Sequence, residues 1–268
     1  MDPRLPDGVP VAFPVLTVQV HALDAARALD IIQGWIREGG RKYVCALTVH
    51  GVMEAHRQPA VSAAYAGAGL VVPDGMPLVW AGHLSGHPET GRVYGPDLTL
   101  ALCGLAAREG WSCYFYGGGE GVAEAMALEM RRRFAGLTIA GTHMPSFGRR
   151  SAEEDAKDVQ RINDSGASIV FVGLGCPKQE LWMADHRGRL SSAVLVGVGA
   201  AFDFHTGRVR QAPRWMMELG LEWAFRLAQE PRRLWYRYLV YNPLFVMRFA
   251  WQRLTRRRAR PPRPHHPA

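Results

Sequence analysis

Short apolar runs alternate with amphipathic stretches along this chain as far as Phe204, and the alternation then stops. The runs are Val15–Val20, Tyr43–Val49, Gly69–Val72, Ser112–Tyr116, Leu137–Ala140, Ser168–Leu174 and Ala193–Val198. Each is nearly continuous in apolar residues, the pattern of a strand buried on both faces. Between them lie helical patterns. Glu120–Phe134 gathers Val122, Met126, Met130 and Phe134 on one face and keeps Arg131, Arg132 and Arg133 largely off it. Ser151-Ala152-Glu153-Glu154 opens another helix with a capping box. Strand–helix alternation of this length predicts an α/β fold, a mostly parallel sheet covered by helices on both faces. The crevice beyond the carboxyl ends of its strands is then the place for a ligand.

After Phe204 the pattern changes. Pro213–Gln229 and Pro231–Leu254 each open with proline, a good first helical residue, and no strand pattern follows. The expected organisation is therefore a sheet domain over 1–211, a helical appendage over 212–255 and a disordered basic end over 256–268, where nothing can bury a core. Charge divides along the same line. From Thr206 onward there are 14 arginines against Glu218, Glu222 and Glu230, whereas the first 205 residues carry a net charge of −3. An acidic body with an arginine-rich, lysine-free, tryptophan-bearing end suits a polyanionic surface, either lipid head groups or nucleic acid.

The start of the chain, MDPRLPDGVP, is polar and proline-broken, unlike a secretory signal. The longest uncharged stretch of the appendage, Tyr238–Met247, has ten residues, too short for a bilayer span of roughly 20, and its Asn242-Pro243 is expected to break or kink the segment midway. Cys45, Cys103, Cys113 and Cys176 show neither metal-ligand nor disulfide-framework spacing. The expectation is a cytoplasmic protein that reaches a membrane only from its surface.

Four strand ends carry groups that can do chemistry. Gly117-Gly118-Gly119-Glu120-Gly121 follows a strand and opens a helix, where backbone N–H groups can hold a diphosphate; Gly117 and Gly119 are the candidates. It is not the dinucleotide fingerprint, because the third glycine falls at Val122. The pattern fails again at Lys178 and at Phe202 when it is started from Gly173 and Gly197. In Val72-Pro73-Asp74-Gly75-Met76-Pro77 a strand ends in the lone carboxylate of Asp74, a helix cap or a base facing the crevice. Gly173-Leu174-Gly175-Cys176-Pro177-Lys178-Gln179-Glu180 puts a cation, Lys178, and an amide, Gln179, in the first turn of a helix. Gly199-Ala200-Ala201-Phe202-Asp203 offers a second carboxylate, a base or a ribose ligand, with Arg208 and Arg210 beyond it as candidate phosphate clamps. No Asp-x-Asp follows a strand and no His-Glu-x-x-His occurs, so neither a metal nor any other cofactor is expected.

Taken together, Pro73–Trp80 (P-D-G-M-P-L-V-W), Arg92–Leu98 (R-V-Y-G-P-D-L), the G-x-G-x-P-K-Q-E-x-W run and the G-V-G-A-A-F-D…A-P-R-W-M…G-L-E-W run resemble the WecG/TagA/CpsF glycosyltransferase family. The resemblance extends from about Val15 to about Tyr241. It implies a Rossmann-like domain and inverting, metal-independent transfer from a UDP-sugar to a sugar on a polyprenyl diphosphate, with N-acetylmannosamine a typical sugar. Asp74 is then the base, and Gln179 contacts substrate. The arginine-bearing appendage closes over the site and brings the enzyme to the inner face of the plasma membrane. Two motifs depart from the family pattern. A Thr-x-Asn is replaced in Cys45-Ala46-Leu47-Thr48-Val49-His50, so Thr48 or His50 stands in for the asparagine. In E-P-x-R-x-x-R, Arg226 and Arg233 keep their places, but the last arginine falls one position late, at Arg237.

The rival readings are a nucleic-acid-binding protein that uses the arginine-rich end, which would lose affinity steeply with salt, and an NAD(P)-dependent reductase. Leu234, Trp235, Leu239, Leu244, Phe245 and Phe249 offer apolar surface to lipid or to a second copy of the chain, a homo-oligomer.

Overall fold

The first apolar run does not join the parallel sheet. The structure, a computed structural model that describes residues 8, 10–146, 148, 151–191 and 194–258, folds it into an antiparallel hairpin of β1 (Ala12–Val15) and β2 (Val18–His21). Leu16, with φ of 53°, makes the turn. Its N–H donates to Gln252 Oε1 at 3.0 Å, so a distant helix holds the bend.

The other six runs form one sheet. β3 (Tyr43–Leu47), β4 (Leu70–Pro73), β5 (Ser112–Gly117), β6 (Thr138–His143), β7 (Ile169–Gly173) and β8 (Val194–Gly197) pair in parallel in the order β4-β3-β8-β7-β5-β6. Side chains alternate between two cores. Val44, Leu70, Val72, Phe115, Phe171 and Val196 face α1 (Ala25–Arg37), α5 (Gly95–Glu109), α6 (Val122–Arg133) and α9 (Ala201–His205). Tyr43, Cys45, Leu47, Tyr114, Tyr116 and Val172 face α2 (Val49–Arg57), α3 (Pro59–Ala66), α7 (Ala152–Asp164) and α8 (Lys178–His186). Strands covered on both sides have no room for polar alternation, which explains their unbroken apolar sequence. Phe115 stacks on Phe171 at 5.3 Å, and each buried ring contributes roughly 1.5–3 kcal/mol by its removal from water. The capping box of α7 is present: Ser151 Oγ accepts from the Glu154 N–H, and Glu154 Oε2 from the Ser151 N–H.

The open edge at β4 is closed by the hairpin. His21, at the end of β2, accepts the Val71 N–H at its Nδ1 at 3.0 Å, a hydrogen bond that an added strand would otherwise take. α4 (Met76–Leu84) follows β4 and begins at the crevice.

The C-terminal helices differ from expectation in two places. Pro213–Gln229 is two helices, α10 (Arg214–Glu218) and α11 (Glu222–Gln229), parted at Gly220. Gly220 has φ of +72°, and a Cβ there would lie 2.8 Å from the Trp80 ring, so the break requires glycine. Asn242-Pro243 does not interrupt the last segment. α12 (Pro231–Trp235) leads through a π-helical turn, Tyr236–Val240, into α13 (Tyr241–Arg258). The irregularity sits just before the proline. The Tyr241 N–H reaches back to the Tyr236 carbonyl, and Pro243 falls in the first turn of α13, where a missing N–H is tolerated. Phe245 and Phe249 pack α13 on the α2 side of the sheet. The helix includes Arg256, Arg257 and Arg258 of the basic end, and 259–268 lie outside the described residues. Among the described residues no helix is long and apolar enough to cross a membrane.

Candidate active site

The strand ends converge on one cavity of about 910 Å³ at the carboxyl edge of the sheet. Thr48 and His50 enter it from the end of β3, and Asp74 from the end of β4. Gly118 and Gly119 enter after β5, Gly173 to Lys178 after β7, and Val198 to Asp203 after β8. The C-terminal segment closes the remaining side with Glu222, Arg226, Arg233, Arg237 and Tyr241. Of the residues expected at the site, Thr48, His50, Asp74, Gly119, Lys178, Gln179, Asp203, Arg226, Arg233 and Arg237 line this space.

Three expected residues do not line it. Gly117 is a packing glycine: at φ of +114°, a Cβ would sit 2.8 Å from the Gly173 backbone, so its absence lets β5 and β7 end side by side. Gly118 and Gly119 take its place at the cavity. Arg208 is exposed and donates to the Glu120 carbonyl at 2.6 Å, with a Cβ position at Gly119 only 3.4 Å from its guanidinium. It braces the glycine loop from outside. Arg210 is exposed, and its structural tie is a backbone one, its carbonyl accepting from Gln229 Nε2.

Asp74 occupies one pole of the cavity. Its backbone N–H continues the strand pairing to the Leu47 carbonyl at 2.9 Å, so its placement follows from the end of β4. Its Oδ1 is buried without a hydrogen-bond partner. Burial pushes its pKa up to about 7, against the opposing pull of Arg92. A carboxyl group so poised is half ionised near neutrality, as a general base requires. Sequence reading missed the groups around it. Val93 pairs its N–H with the Pro73 carbonyl at 2.8 Å and so runs Arg92 alongside Asp74. Arg92 Nε donates to the Asp74 carbonyl oxygen, and its Nη2 contacts Glu222 Oε2 at 2.5 Å. The guanidinium also lies over the Tyr94 ring at 4.3 Å. Both Arg92 and Glu222 fall inside the motifs R-V-Y-G-P-D-L and G-L-E-W, which was the available signal.

Asp203 marks the other pole. Burial raises its pKa, while Arg233 and Arg208 oppose that. Arg226 is buried, lies 5.2 Å over the Phe204 ring and leaves its Nε unpartnered. Arg233 pairs with Glu230 at 2.7 Å. Arg237, one place late in the sequence motif, still reaches the cavity from the π-helical turn: its Nη2 donates to Thr48 Oγ1 at 3.4 Å, and its Nε is buried without a partner. Buried donors left unpaired are costly, on the order of 1–3 kcal/mol each, unless a ligand completes them.

His50 stacks on Tyr241 at 5.7 Å and is held neutral. Burial first, and Arg237 second, lower its pKa to about 4. Gln179 is 2% exposed, and its amide is engaged at both ends. Nε2 donates to Glu180 Oε1 at 2.9 Å, and Oε1 accepts the Gly199 N–H at 3.0 Å, tying the loop after β7 to the loop after β8. Cys176 Sγ lies 3.8 Å from the Tyr65 hydroxyl, with burial raising its pKa well above the ordinary thiol range. That is the environment of an unreactive thiol. Among the described residues, no three His, Cys, Asp or Glu side chains are grouped so as to hold a metal ion.

Comparison with known proteins bears on what this cavity does. The model of the WecG/TagA/CpsF glycosyl transferase family matches residues 13–259. The N-acetylglucosaminyldiphosphoundecaprenol N-acetyl-beta-D-mannosaminyltransferase of Bacillus spizizenii is 32% identical over 186 residues, covering 69% of this chain and 70% of that protein.

Proposed function

The chain belongs to the WecG/TagA/CpsF family of glycosyl transferases, and from that premise we propose that it moves an N-acetylmannosamine-like sugar from UDP to a sugar carried on a polyprenyl diphosphate. The carrying observation is Asp74: a buried carboxylate at a strand end, with one oxygen unpartnered and a pKa of about 7. Asp74 takes the proton from the acceptor hydroxyl. The freed oxygen bonds to the anomeric carbon from the face opposite the nucleotide, the bond from that carbon to the diphosphate breaks, and UDP leaves with the electron pair. The product is inverted at the anomeric carbon.

The leaving diphosphate gains one negative charge as the bond breaks, and preorganised cations stabilise it best. Arg226, Arg233 and Arg237 line the cavity with Gly118 and Gly119, and this arrangement supports nucleotide binding at the Asp203 pole without a metal. Two intervening strand spacings separate the ends of β8 and β4, roughly 9–10 Å, room for one sugar ring between the diphosphate and Asp74. Trp235, Leu239, Val246, Met247 and Trp251 are each more than half exposed on the same C-terminal segment as arginines 232, 248 and 253. Rings and guanidinium groups so mixed suit an anionic membrane surface, from which the lipid-linked acceptor is presented.

The test is a screen of UDP-sugars against a synthetic polyprenyl-diphosphate N-acetylglucosamine, read by mass in EDTA. A mass gain of one N-acetylhexosamine is expected. No transfer from any UDP-sugar overturns the reading, and activity that EDTA abolishes and Mg²⁺ or Mn²⁺ restores overturns its metal-free part.

A further inference from the structure

Two carboxylates share one guanidinium at the Asp74 pole, and the sharing is unequal. Arg92 Nη2 is 2.5 Å from Glu222 Oε2 but 3.8 Å from Asp74 Oδ1. Asp74 Oδ1 consequently has no hydrogen bond, although a buried cation lies next to it. Glu222 also accepts from the Tyr94 hydroxyl at 3.4 Å, and Arg92 is pinned over the Tyr94 ring, so the guanidinium is held on the Glu222 side. Glu222 is the first residue of α11, hence part of the C-terminal segment, whereas Asp74 and Arg92 belong to the body.

We infer that Glu222 is a positioning residue that holds Arg92 off the Asp74 carboxylate and thereby leaves Asp74 able to accept the proton of the acceptor hydroxyl. The inference rests on Asp74 acting as the base. Without Glu222, nothing on that side competes for Arg92. The guanidinium then closes the remaining distance to Asp74 Oδ1, and a carboxylate engaged by arginine is a weaker base. The groups that face Asp74 are few: Arg92, Tyr94 and the Gly95 N–H from the segment leading into α5, Glu222 from α11, and Arg237 from the π-helical turn. Of these, Glu222 is the acid that raises its pKa, and it does so by charge as well as by restraining Arg92. Docking of the C-terminal segment thus completes the base as well as the cavity wall.

The experiment measures kcat/KM for sugar transfer against pH in the full-length chain and in Glu222→Gln, Arg92→Gln and the double variant. The native profile should rise through an acid limb near pH 7. In Glu222→Gln that midpoint is expected to fall by about one pH unit, since an opposite charge brought close to a carboxylate lowers its pKa by roughly 1–3. The alkaline plateau is expected to drop about tenfold. In the Arg92→Gln background only the direct charge effect of Glu222 remains, so the same glutamine substitution should move the midpoint less than it does in the native background and change the plateau by less than about twofold. Glu222→Asp, which keeps the charge but draws Arg92 back, gives a second reading of the midpoint if glutamine prevents folding. A merely structural Glu222 would lower the rate without moving the midpoint. An unmoved midpoint, with Asp74→Asn still inactive, overturns the inference and leaves the base assignment standing. An active Asp74→Asn removes the base assignment itself.

Discussion

The sheet-bearing body and the C-terminal helices are built to opposite rules. In the body, Tyr43, Tyr114, Phe115, Tyr116 and Phe171 are at most 1% exposed, and charged groups near the two cores are mostly paired. In the C-terminal segment, Trp235, Leu239, Val246, Met247, Trp251 and Leu254 stand more than half exposed, while Arg226 and Arg237 keep unpartnered nitrogens inside the cavity. The body packs its largest rings in two cores and leaves few large apolar side chains outside, Trp80, Leu84 and Leu128 among them. The C-terminal segment keeps apolar side chains outward and cations inward, the arrangement that the proposed membrane contact and diphosphate site would use.

Asp74 is one of the body's buried groups with an unpartnered atom, and replacing it gives the largest expected effect. Asp74→Asn should lose about 10²–10⁴-fold in rate, the usual contribution of a positioned base, because asparagine matches aspartate in size but accepts no proton; the helix is capped at Gly75, so no cap is lost. Its stability should move the other way. A carboxyl raised from 3.8 to about 7 binds its proton more tightly folded than unfolded, so native stability declines as pH rises from about 4 to about 7. Asparagine has no such loss. The variant's melting temperature should exceed the native one at pH 8 and match it near pH 4; a lower value at pH 8 would return Asp74 to a purely structural role.

Next in size, Phe171→Ala should cost about 3–5 kcal/mol by leaving a hole against Phe115, read from the denaturant midpoint. An equal penalty from Trp251→Ala would break the contrast between the regions, because a residue 70% exposed should change stability by at most about 0.5 kcal/mol. Arg237→Ala should lower kcat/KM by roughly tenfold or more, the worth of a charge-assisted hydrogen bond to a diphosphate, with a small change in melting. The smallest effect concerns the outer surface. Trp251→Ser should weaken binding to anionic vesicles several-fold and leave transfer to a water-soluble acceptor intact; full-length protein that ignores vesicles yet binds DNA at physiological salt would reassign that surface.

Much of this contrast was legible in the residues. Six of seven apolar runs became the parallel strands, since burial on both faces leaves an unmistakable composition. The seventh, Val15–Val20, hid a reversal, because the turn uses Leu16 at positive φ instead of a glycine or asparagine, and its support comes from Gln252 at the far end of the chain. Gly220 passed unnoticed inside Pro213–Gln229, read as one helix; its positive φ and the nearby Trp80 ring are what divide it. At the site, single residues at strand ends were readable: Asp74, Gly119, Lys178 and Asp203. Pairings were not. Arg92 with Glu222, and Tyr241 with Glu54 at 2.7 Å, join positions more than a hundred residues apart and have no local signature. Arg237 looked displaced when counted along a 3.6-residue helix, yet the π-helical turn carries it to Thr48.

The His21 contact with Val71 covers one of the sheet's two edges. A parallel sheet ending in a bare strand is a template on which other chains can polymerise, and this one is stoppered at β4 by an imidazole that must be neutral at Nδ1 to accept. Burial holds the His21 pKa below the ordinary imidazole value, so the stopper is seated at neutral pH. Acid that protonates the ring sets one N–H against another and removes this hydrogen bond, while Phe13, Val15, Val18 and Val20 still hold the hairpin in the core. The consequence is an edge cover at β4 that loosens in acid, while β6, the sheet's other edge, owes nothing to this imidazole.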